Sequence, residues 1–493
     1  MLDISSAYHQ IANTKTDWVS AFIHFPWDHN LTQGVGSYWP VLVPMMYVCV
    51  LFLFTIKWFF LTNIFYLFLA MSGVYFSTKF LINSRFYSML AAIIFSSYWI
   101  IRMLSVSVES QLFVAACVVV AFYWYLRSYF FTRFLESMLV GAFMILGLYA
   151  DRVTAGFYIF ALFLVPENYK RKRSLFFMFL TLVVVLISVW PFYQRWVTTN
   201  LWSSQARAIL FSSIGDCSSV WDSYKMVVSN PKFIFVHLTY YFVSLTEILL
   251  GYWFIFFLAI GSIFLIWRST NIHKQILGTA ILVPLTGLIL IVKKDFAYII
   301  PLCVYWAIVT ATGVYFIQKK LVRRALLSLI SILIVLQYSL FLTSYPFPKQ
   351  YFFSDQFGKM KAHNIPKLWL YAPLWSAMPA NSLFLITDQI NYIFEMDPHA
   401  STNKQTLLID ISNNGLHNGL LFLFNLGLPR IIIVDAHETG RFSNDKCKSD
   451  RLYLLTDKLE HNNSPGSSGN YVWSSVLIKH QFAYNLSLLE LIQ

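Results

Sequence analysis

The sequence predicts an α-helical polytopic membrane protein of about ten spans plus interfacial helices, with a small soluble α/β domain at its C-terminal end. Three observations indicate this fold class. Hydrophobic residues make up 58% of the 493 residues and charged residues only 12%, against roughly 25% charged residues in ordinary soluble domains. Mean hydropathy is +0.60. After residue 345 the long apolar runs cease, which divides the chain into a membrane domain, 1–345, and a soluble domain, 346–493.

Apolar segments close to the length of about 20 residues that crosses a bilayer recur through the first domain. They are 58–82, 86–104, 108–126, 134–150, 174–193, 245–267, 276–293, 296–317 and 325–344, with a shorter one at 152–166. Basic residues fall in alternate loops between them, and basic loops favour the cytoplasm. These loops carry Lys79 with Arg85, Arg127 with Arg133, the run 170–173, Arg268 with Lys274, and the cluster 319–324. The other loops and the C-terminal domain are therefore predicted to be exoplasmic.

The net charge of +13 is explained by these loop clusters, so no nucleic-acid partner is predicted. One stretch, 38–56, leaves its position open. It either spans the membrane or lies in the exoplasmic interface, and Pro40, Pro44 and its limited apolar length favour the interface.

The C-terminal domain is predicted from three apolar runs typical of buried strands, at 382–388, 406–412 and 430–436. Residues 415–427 have helical length, and "HNNSPGSSGN" at 461–470 is predicted to be a flexible loop. Acidic and histidine residues follow the strands and invite a metal or catalytic interpretation: Asp410, Asp435, His437 and Glu438. Strand ends often carry such residues for turn chemistry alone, and we favour that interpretation.

The cysteines and short motifs indicate no redox centre, zinc site or nucleotide-driven pump. Cys49, Cys117 and Cys303 lie in apolar runs, where cysteine behaves as a small hydrophobic residue. Cys217 and Cys447 both fall in predicted exoplasmic parts, where an oxidising compartment would permit a disulfide. The sequence has no CxxC, HExxH, P-loop or dinucleotide fingerprint.

Ionisable residues at the predicted exoplasmic ends of the spans form the candidate site. Each of them has a plain alternative as an interfacial residue that snorkels to water. Together they favour a site for an anion delivered through the membrane, since cations hold phosphate and a carboxylate supplies a base. The set is Asp3, Glu109, Asp151, Arg152, Lys293, Lys294 and Asp295, with Arg102 two helical turns before Glu109.

The order of these features resembles the C-type glycosyltransferases that use polyprenyl- or dolichyl-phosphate sugars, in particular protein O-mannosyltransferases and lipid A aminoarabinose transferases. The resemblance covers about residues 1 to 345 and rests on the order and spacing of short motifs. These are "LDISSAY", "TKTDWV", "GSYWPVLVP", "RMLSVSVESQLF", "GLYADRVTAG" and "KKDFAYIIPL". It also implies that the stretch 38–56 lies along the exoplasmic face.

This chain departs from the family pattern at named positions. Ile4 stands where the family has Glu, Glu109 where it has Asp, and Arg152 where Lys is common. The family's first span would precede Asp3, so the resemblance implies that the chain begins inside the first exoplasmic loop.

The resemblance implies inverting transfer of a sugar from a lipid-phosphate donor to an acceptor on the exoplasmic face. Asp3 would be the general base, and Glu109 would orient the acceptor or pair with Arg102. The donor phosphate would be bound by Arg152, Lys293 and Lys294. The residues predicted either to contact the sugar or acceptor or to belong to an aromatic belt are Tyr8, Tyr38, Trp39 and Tyr298.

The expected partners are membrane lipid, the lipid-linked sugar, and a protein, lipid or glycan acceptor. No cofactor is required by these motifs, and a divalent metal stays open. The membrane is predicted to be a bacterial inner membrane or the endoplasmic reticulum. Two other functions stay open: a secondary transporter, although no repeated halves are visible, and a non-catalytic membrane scaffold.

Overall fold

The computed structural model describes two parts of the chain. In the helical part these residues are 42–53, 61–105, 110–163, 172–198, 271–290 and 296–343. In the C-terminal part they are 386–387, 389–390, 392–394, 405–411, 420, 431–435, 451–456, 466–468, 471–473, 475–481 and 486–492. The two parts fall in different compact units: the helices lie in Tyr38–Ala372, and the strands lie in the unit that contains Pro373–Gln493.

The described helical part contains eleven α-helices in our numbering and two short 3₁₀ helices. They are α1 Leu42–Leu53, α2 Leu61–Ile82, α3 Arg85–Ser97, α4 Trp99–Ser105, α5 Gln111–Arg127, α6 Phe134–Ala150, α7 Arg152–Ile159, the 3₁₀ helix Phe160–Phe163, α8 Lys172–Thr198, α9 Asn271–Leu290, the 3₁₀ helix Phe296–Ile299, α10 Leu302–Phe316 and α11 Lys320–Thr343. Each predicted span overlaps one of these helices, apart from 245–267, which lies outside the described residues.

The mostly helical architecture is thus confirmed, but the number of spans is not. Within the described part of the chain, two helices are long and apolar enough to cross a membrane, Leu61–Ile82 and the Lys172–Trp190 part of α8. Other apolar helices are shorter, with α5, α6 and α10 spanning 15 to 17 residues. The two long helices favour association with a membrane.

Two predicted spans are interrupted, and the local sequence explains both breaks. The segment 86–104 divides into α3 and α4 at Tyr98, whose ψ of 130° is not helical. Just before it, the hydroxyls of Ser96 and Ser97 donate to the carbonyls of Ile93 and Ile94, at 3.0 and 2.8 Å, a type of bond that bends helices. The segment 296–317 begins as a 3₁₀ helix, and α10 starts only after Pro301, which has no N–H to donate to a helix.

Helices α5 and α10 lie at the centre of the bundle. All residues of α5 are buried except Tyr123, Trp124 and Arg127, and α10 is buried from Leu302 to Val314. Helices α2, α6, α7 and α10 contact α5, and helices α2, α3, α9 and α11 contact α10. A glycine allows one close approach, because a Cβ on Gly73 of α2 would lie 2.6 Å from Cγ1 of Val119. Small residues of this kind let membrane helices pack closely.

The outer helices expose apolar faces, while hydroxyl groups are turned inward. On α2 and α8 the exposed apolar side chains are Leu61, Ile64, Phe65, Phe68, Phe76, Phe80, Leu175, Phe176, Phe179, Val184, Leu186, Ile187 and Trp190. Three buried threonines satisfy their hydroxyls inside their own helices: Thr78, Thr310 and Thr312 donate to the carbonyls four residues earlier, at 2.6 to 2.8 Å. Soluble proteins rarely expose such large apolar surfaces, so this arrangement is typical of a protein surrounded by lipid.

Contacts between helix ends gather the basic loops at one end of the bundle, which we call the basic end. The ring of Phe80 at the end of α2 lies 5.9 Å from Tyr129 in the α5–α6 turn, and Tyr87 in the first turn of α3 lies 5.4 Å from Tyr315 near the end of α10. Ser174 in α8 donates a hydrogen bond to the carbonyl of Phe130 in the same turn. The basic residues at this end are Lys79, Arg85, Arg127, Arg133, Lys172, Arg173, Lys319, Lys320, Arg323 and Arg324.

Helix α1 packs near the opposite end of α2. The hydroxyl of Tyr47 hydrogen-bonds the side chain of Asn63, and the ring of Tyr47 meets that of Tyr66 edge to face at 6.4 Å. Within the stretch 38–56 the structure describes these 12 helical residues, Leu42–Leu53. The interfacial position of that stretch stays a prediction.

The C-terminal unit contains a mixed five-stranded sheet and a separate hairpin. The strands of the sheet are β1 Gln405–Asp410, β2 Ile431–Asp435, β3 Arg451–Thr456, β6 Ser475–Gln481 and β7 Ser487–Ile492, and the hairpin pairs β4 Gly466–Ser468 with β5 Tyr471–Trp473. The order of the strands in the sheet is β2-β1-β3-β7-β6. Strands β2, β1 and β3 are parallel, whereas β7 and β6 are antiparallel to their neighbours. The predicted strands 406–412 and 430–436 are confirmed by β1 and β2.

Two predictions for this unit are wrong in part. The described residues of the predicted strand 382–388, Ile386 and Thr387, are helical. Ile386, Ile390 and Phe394 are buried four residues apart, so a helical period overrides the short apolar run. The predicted loop 461–470 contains β4. Of the helix predicted at 415–427, the described residue Leu420 is helical.

Candidate functional site

Most of the predicted site residues lie outside the described residues: Asp3, Tyr8, Tyr38, Trp39, Glu109, Lys293 and Lys294. Arg152 is described in its backbone alone, as the first residue of α7. Tyr298 is described fully. The geometry of the candidate site therefore rests on the elements around these positions.

Asp151 begins α7 as its N-cap. Its backbone is extended, with φ −158° and ψ 102°. One carboxylate oxygen accepts the backbone N–H of Thr154 at 3.1 Å, and the other accepts the Thr154 hydroxyl at 2.7 Å. The carbonyl of Asp151 accepts the first helical bond, from Ala155 at 2.9 Å. This cap explains why an acidic residue lies at an apolar helix end. It also fixes the backbone position of Arg152, the first residue of α7.

Helix α7 contacts the elements on both sides of Lys293 and Lys294. Helix α9, which precedes that pair, and the 3₁₀ helix Phe296–Ile299, which follows it, both contact α7. The hydroxyl of Tyr158 in α7 donates to the carbonyl of Tyr298 at 2.8 Å. The two sequence elements predicted to bind the donor phosphate, 140 residues apart, are thus joined by a buried hydrogen bond.

Tyr298 itself is buried in the bundle, so it does not have the exposure expected of an aromatic-belt residue. Aromatic rings also pack on the tyrosine that makes this hydrogen bond. Tyr305 of α10 stacks on Tyr158 at 6.4 Å and meets Phe122 of α5 edge to face at 5.0 Å. Sequence reasoning missed Tyr158 and Tyr305, because both read as ordinary aromatic residues of apolar spans.

Arg102 lies in α4 and is 6% exposed. Its guanidinium carbon lies 4.7 Å from the centroid of the Tyr338 ring in α11, and the Tyr338 hydroxyl shares a hydrogen bond with Ser96 at 3.0 Å. The predicted alternative partner, Glu109, lies outside the described residues. A buried cation inside an apolar bundle is costly and is typically retained for a structural or functional reason.

The C-terminal unit places two of its candidate acidic residues at one edge of the sheet. Asp410 and Asp435 end the neighbouring parallel strands β1 and β2, and Asp435 pairs in register with Ile409. His437 and Glu438 lie outside the described residues. Among the described residues, no group of three His, Cys, Asp or Glu side chains forms a metal site.

The cysteines of the helical part agree with the interpretation as small hydrophobic residues: Cys117 and Cys303 are free and buried, and Cys49 is free and half-buried. Cys217 and Cys447 lie outside the described residues.

Comparison of the chain with protein-family models and with curated proteins finds no match. The family resemblance of the sequence therefore rests on the quoted motifs alone.

Proposed function

We propose that this chain is a multi-pass membrane glycosyltransferase. It transfers a sugar with inversion from a polyprenyl- or dolichyl-phosphate donor to an acceptor at the end of the bundle opposite the basic end. The proposal includes about ten spans, basic loops in the cytoplasm and a C-terminal domain on the exoplasmic side. The basic helix ends that share one end of the bundle support this orientation.

The observation that carries the proposal is the hydrogen bond from Tyr158 to the carbonyl of Tyr298. It joins the helix that begins at Arg152 to the segment that follows Lys293 and Lys294. We infer a shared phosphate site for these cations because the helix that begins at Arg152 contacts the elements on both sides of Lys293 and Lys294. Arg binds phosphate through two parallel N–H donors, whereas Lys binds it as a point charge, so one residue type does not replace the other.

The proposed reaction is a single displacement. The acceptor hydroxyl or amine attacks the anomeric carbon, the bond from that carbon to the phosphate oxygen breaks, and the acceptor proton passes to the carboxylate of Asp3. Glu109 orients the acceptor or pairs with Arg102. Because the leaving phosphate gains charge in the transition state, Arg152, Lys293 and Lys294 stabilise that state more than the ground state. Tyr8, Tyr38 and Trp39 are candidate contacts to the sugar or acceptor, and Tyr298 contributes its carbonyl to the scaffold.

The direct test is turnover of a radiolabelled polyprenyl-phosphate sugar by the full chain in membranes. Asp3→Asn keeps the size of the side chain and removes the proton acceptor, so turnover is expected to fall by about 100- to 10,000-fold while donor binding is kept. Full activity of Asp3→Asn would overturn its assignment as the base.

The phosphate site is tested by donor binding. Replacing Lys293 and Lys294 by Gln is expected to weaken binding of the donor. The matched control replaces Lys319 and Lys320, an equal pair at the basic end, and is expected to leave donor binding unchanged. Equal effects from both pairs would contradict a specific phosphate site and favour a non-catalytic scaffold.

A further inference from the structure

The turn between α5 and α6 has an unusual backbone. Tyr129, Phe130 and Phe131 have φ values of 48°, 59° and 63°. Side chains with a Cβ disfavour this left-handed region, and three such aromatic residues in a row persist only where the surroundings hold them. The topology requires only a reversal between two helices, so this strained form calls for an explanation.

Hydrogen bonds around Ser128 hold the turn. Its hydroxyl donates to the carbonyl of Tyr125 at 2.8 Å and accepts the N–H of Phe131 at 2.9 Å. Its carbonyl accepts the N–H of Thr132 at 2.9 Å and the Thr132 hydroxyl at 2.8 Å. The side chains of Phe130 and Phe131 are buried against Tyr125, whereas the ring of Tyr129, the residue before them, is 44% exposed. The strained backbone thus buries two rings and presents the third at the surface.

Three cations lie over aromatic rings in or beside this turn: Lys79 in the last turn of α2, Arg127 at the end of α5 and Arg133 just before α6. Arg133 lies over Tyr129, 4.7 Å from its centroid. Lys79, next to Phe80, lies over the Tyr75 ring at 6.0 Å. Arg127 lies over Trp124 at 5.2 Å and donates to the Tyr123 hydroxyl at 2.9 Å. We call this surface the aromatic–cation rim: Lys79, Arg127 and Arg133 with Tyr75, Phe76, Phe80, Tyr123, Trp124 and Tyr129.

Two inter-helix ring contacts connect the rim. Phe76 of α2 lies 5.5 Å from Tyr123 of α5, and Phe80 lies 5.9 Å from Tyr129. Both phenylalanines are exposed on the apolar face of α2. The rim therefore places cations directly beside an apolar surface, which matches a molecule with an anionic head and an apolar tail.

The cations of the rim keep hydrogen-bond donors for such a head. A ring occupies the face of a guanidinium and leaves the N–H groups in its plane available. Arg133 contacts Glu136 at 3.6 Å, but within the described residues Lys79 and Arg127 form no ion pair. Positive charge is thus in excess at the rim.

We propose that the aromatic–cation rim binds an anionic phospholipid, with the headgroup phosphate on Lys79, Arg127 and Arg133 and an acyl chain along Phe76 and Phe80. The inference rests on the proposed membrane orientation but not on glycosyl transfer. It assigns to the strained turn the role of holding Tyr129 and Arg133 beside α2.

The test measures binding of phosphatidylglycerol by the full chain in phosphatidylcholine nanodiscs, by native mass spectrometry. The triple variant Lys79→Gln, Arg127→Gln, Arg133→Gln is expected to lower the affinity at least about tenfold, since a cation at an anionic surface contributes about a fivefold factor. The matched control Lys319→Gln, Lys320→Gln, Arg323→Gln removes equal charge at the same end of the bundle but outside the rim, so it is expected to lower the affinity much less than the rim variant does.

Equal losses in the two triple variants would overturn the site, because they would show binding to diffuse charge. Unchanged affinity in the rim variant would also overturn it. If that variant does not fold, the single variant Arg133→Gln is expected to lower the affinity about fivefold. Tyr129→Leu keeps every charge but removes the ring under Arg133, and it is expected to lower the affinity as well. Displacement of the lipid by inorganic phosphate at equal concentration would contradict the acyl-chain contact.

Discussion

Charged residues are exposed at one end of the helical bundle and buried at the other. At the basic end, cations such as Arg127 and Arg133 are exposed and lie on aromatic rings. At the other end, Arg102 and Asp151 are buried, at 6% and 8% exposure, and have partners inside the bundle. Exposed cations at helix ends need only water or headgroups, and in membrane proteins such cations favour the cytoplasmic side. Buried ions at helix ends are costly unless a fold or a site uses them.

This difference in burial indicates which end of the bundle carries the proposed site. At the end with exposed charge the cations lie on aromatic rings at the surface, which fits a surface that meets lipid headgroups. The end with buried charge has a helix cap at Asp151 and a hydrogen bond that joins two distant segments through Tyr158. The proposed chemistry belongs at this second end.

The largest expected effect concerns the apolar face between the two ends. Ile187 of α8 is 66% exposed. If this face meets lipid, Ile187→Lys is expected to oppose membrane insertion of α8 by about 3 kcal/mol. Insertion is measured in a translation assay as the fraction of chains in which α8 spans the membrane, with Ile187→Leu as control. Equal insertion of the Lys and Leu variants would contradict a lipid-facing α8.

A smaller effect is expected at the centre of the bundle. Gly73→Ala places a Cβ 2.6 Å from the Val119 side chain and 3.3 Å from its backbone, and such overpacking typically costs about 1 to 3 kcal/mol. Gly147→Ala is the matched control, because its Cβ would meet its neighbours at 3.4 Å or more, an ordinary contact. Thermal unfolding in detergent should show a lower midpoint for Gly73→Ala than for Gly147→Ala. The reverse order would mean that α2 and α5 pack differently.

The smallest effect separates two roles of Asp151. Asp151→Ala removes the cap of α7 and is expected to lower stability by about 1 kcal/mol, whereas Asp151→Asn keeps a good capping residue. Melting temperatures of the two variants give the comparison. If Asn destabilises as much as Ala, the charge of Asp151 rather than its cap stabilises the buried end.

The sequence predicts the helices well, because long apolar runs specify them with little ambiguity. It does not predict the break at Tyr98 or the left-handed turn at Tyr129, since serine and aromatic residues are common inside spans. In the C-terminal unit, the four-residue spacing of Ile386, Ile390 and Phe394 was present in the sequence, yet the apolar run before it favoured a strand. Gly469 and Asn470, between β4 and β5 in the sequence, are residues typical of a two-residue hairpin turn. The prediction of a flexible loop did not take this signal into account.

The candidate site was predictable only as a set of sequence positions. The cap at Asp151 follows from its place before an apolar helix with Thr154 three residues on. The hydrogen bond from Tyr158 to Tyr298 could not be predicted from the sequence, because partners 140 residues apart leave no local pattern.

The measurement that tests the account most directly is the sidedness of the two ends. Gln318→Cys, an exposed position at the basic end, and Gln389→Cys, an exposed position in the C-terminal unit, are made separately in a chain whose native cysteines are replaced. An impermeant maleimide applied from the exoplasmic side is expected to label Gln389→Cys at once and Gln318→Cys only after the membrane is opened. Labelling of Gln318→Cys in the intact membrane, with protection of Gln389→Cys, would contradict the orientation on which the proposed chemistry depends.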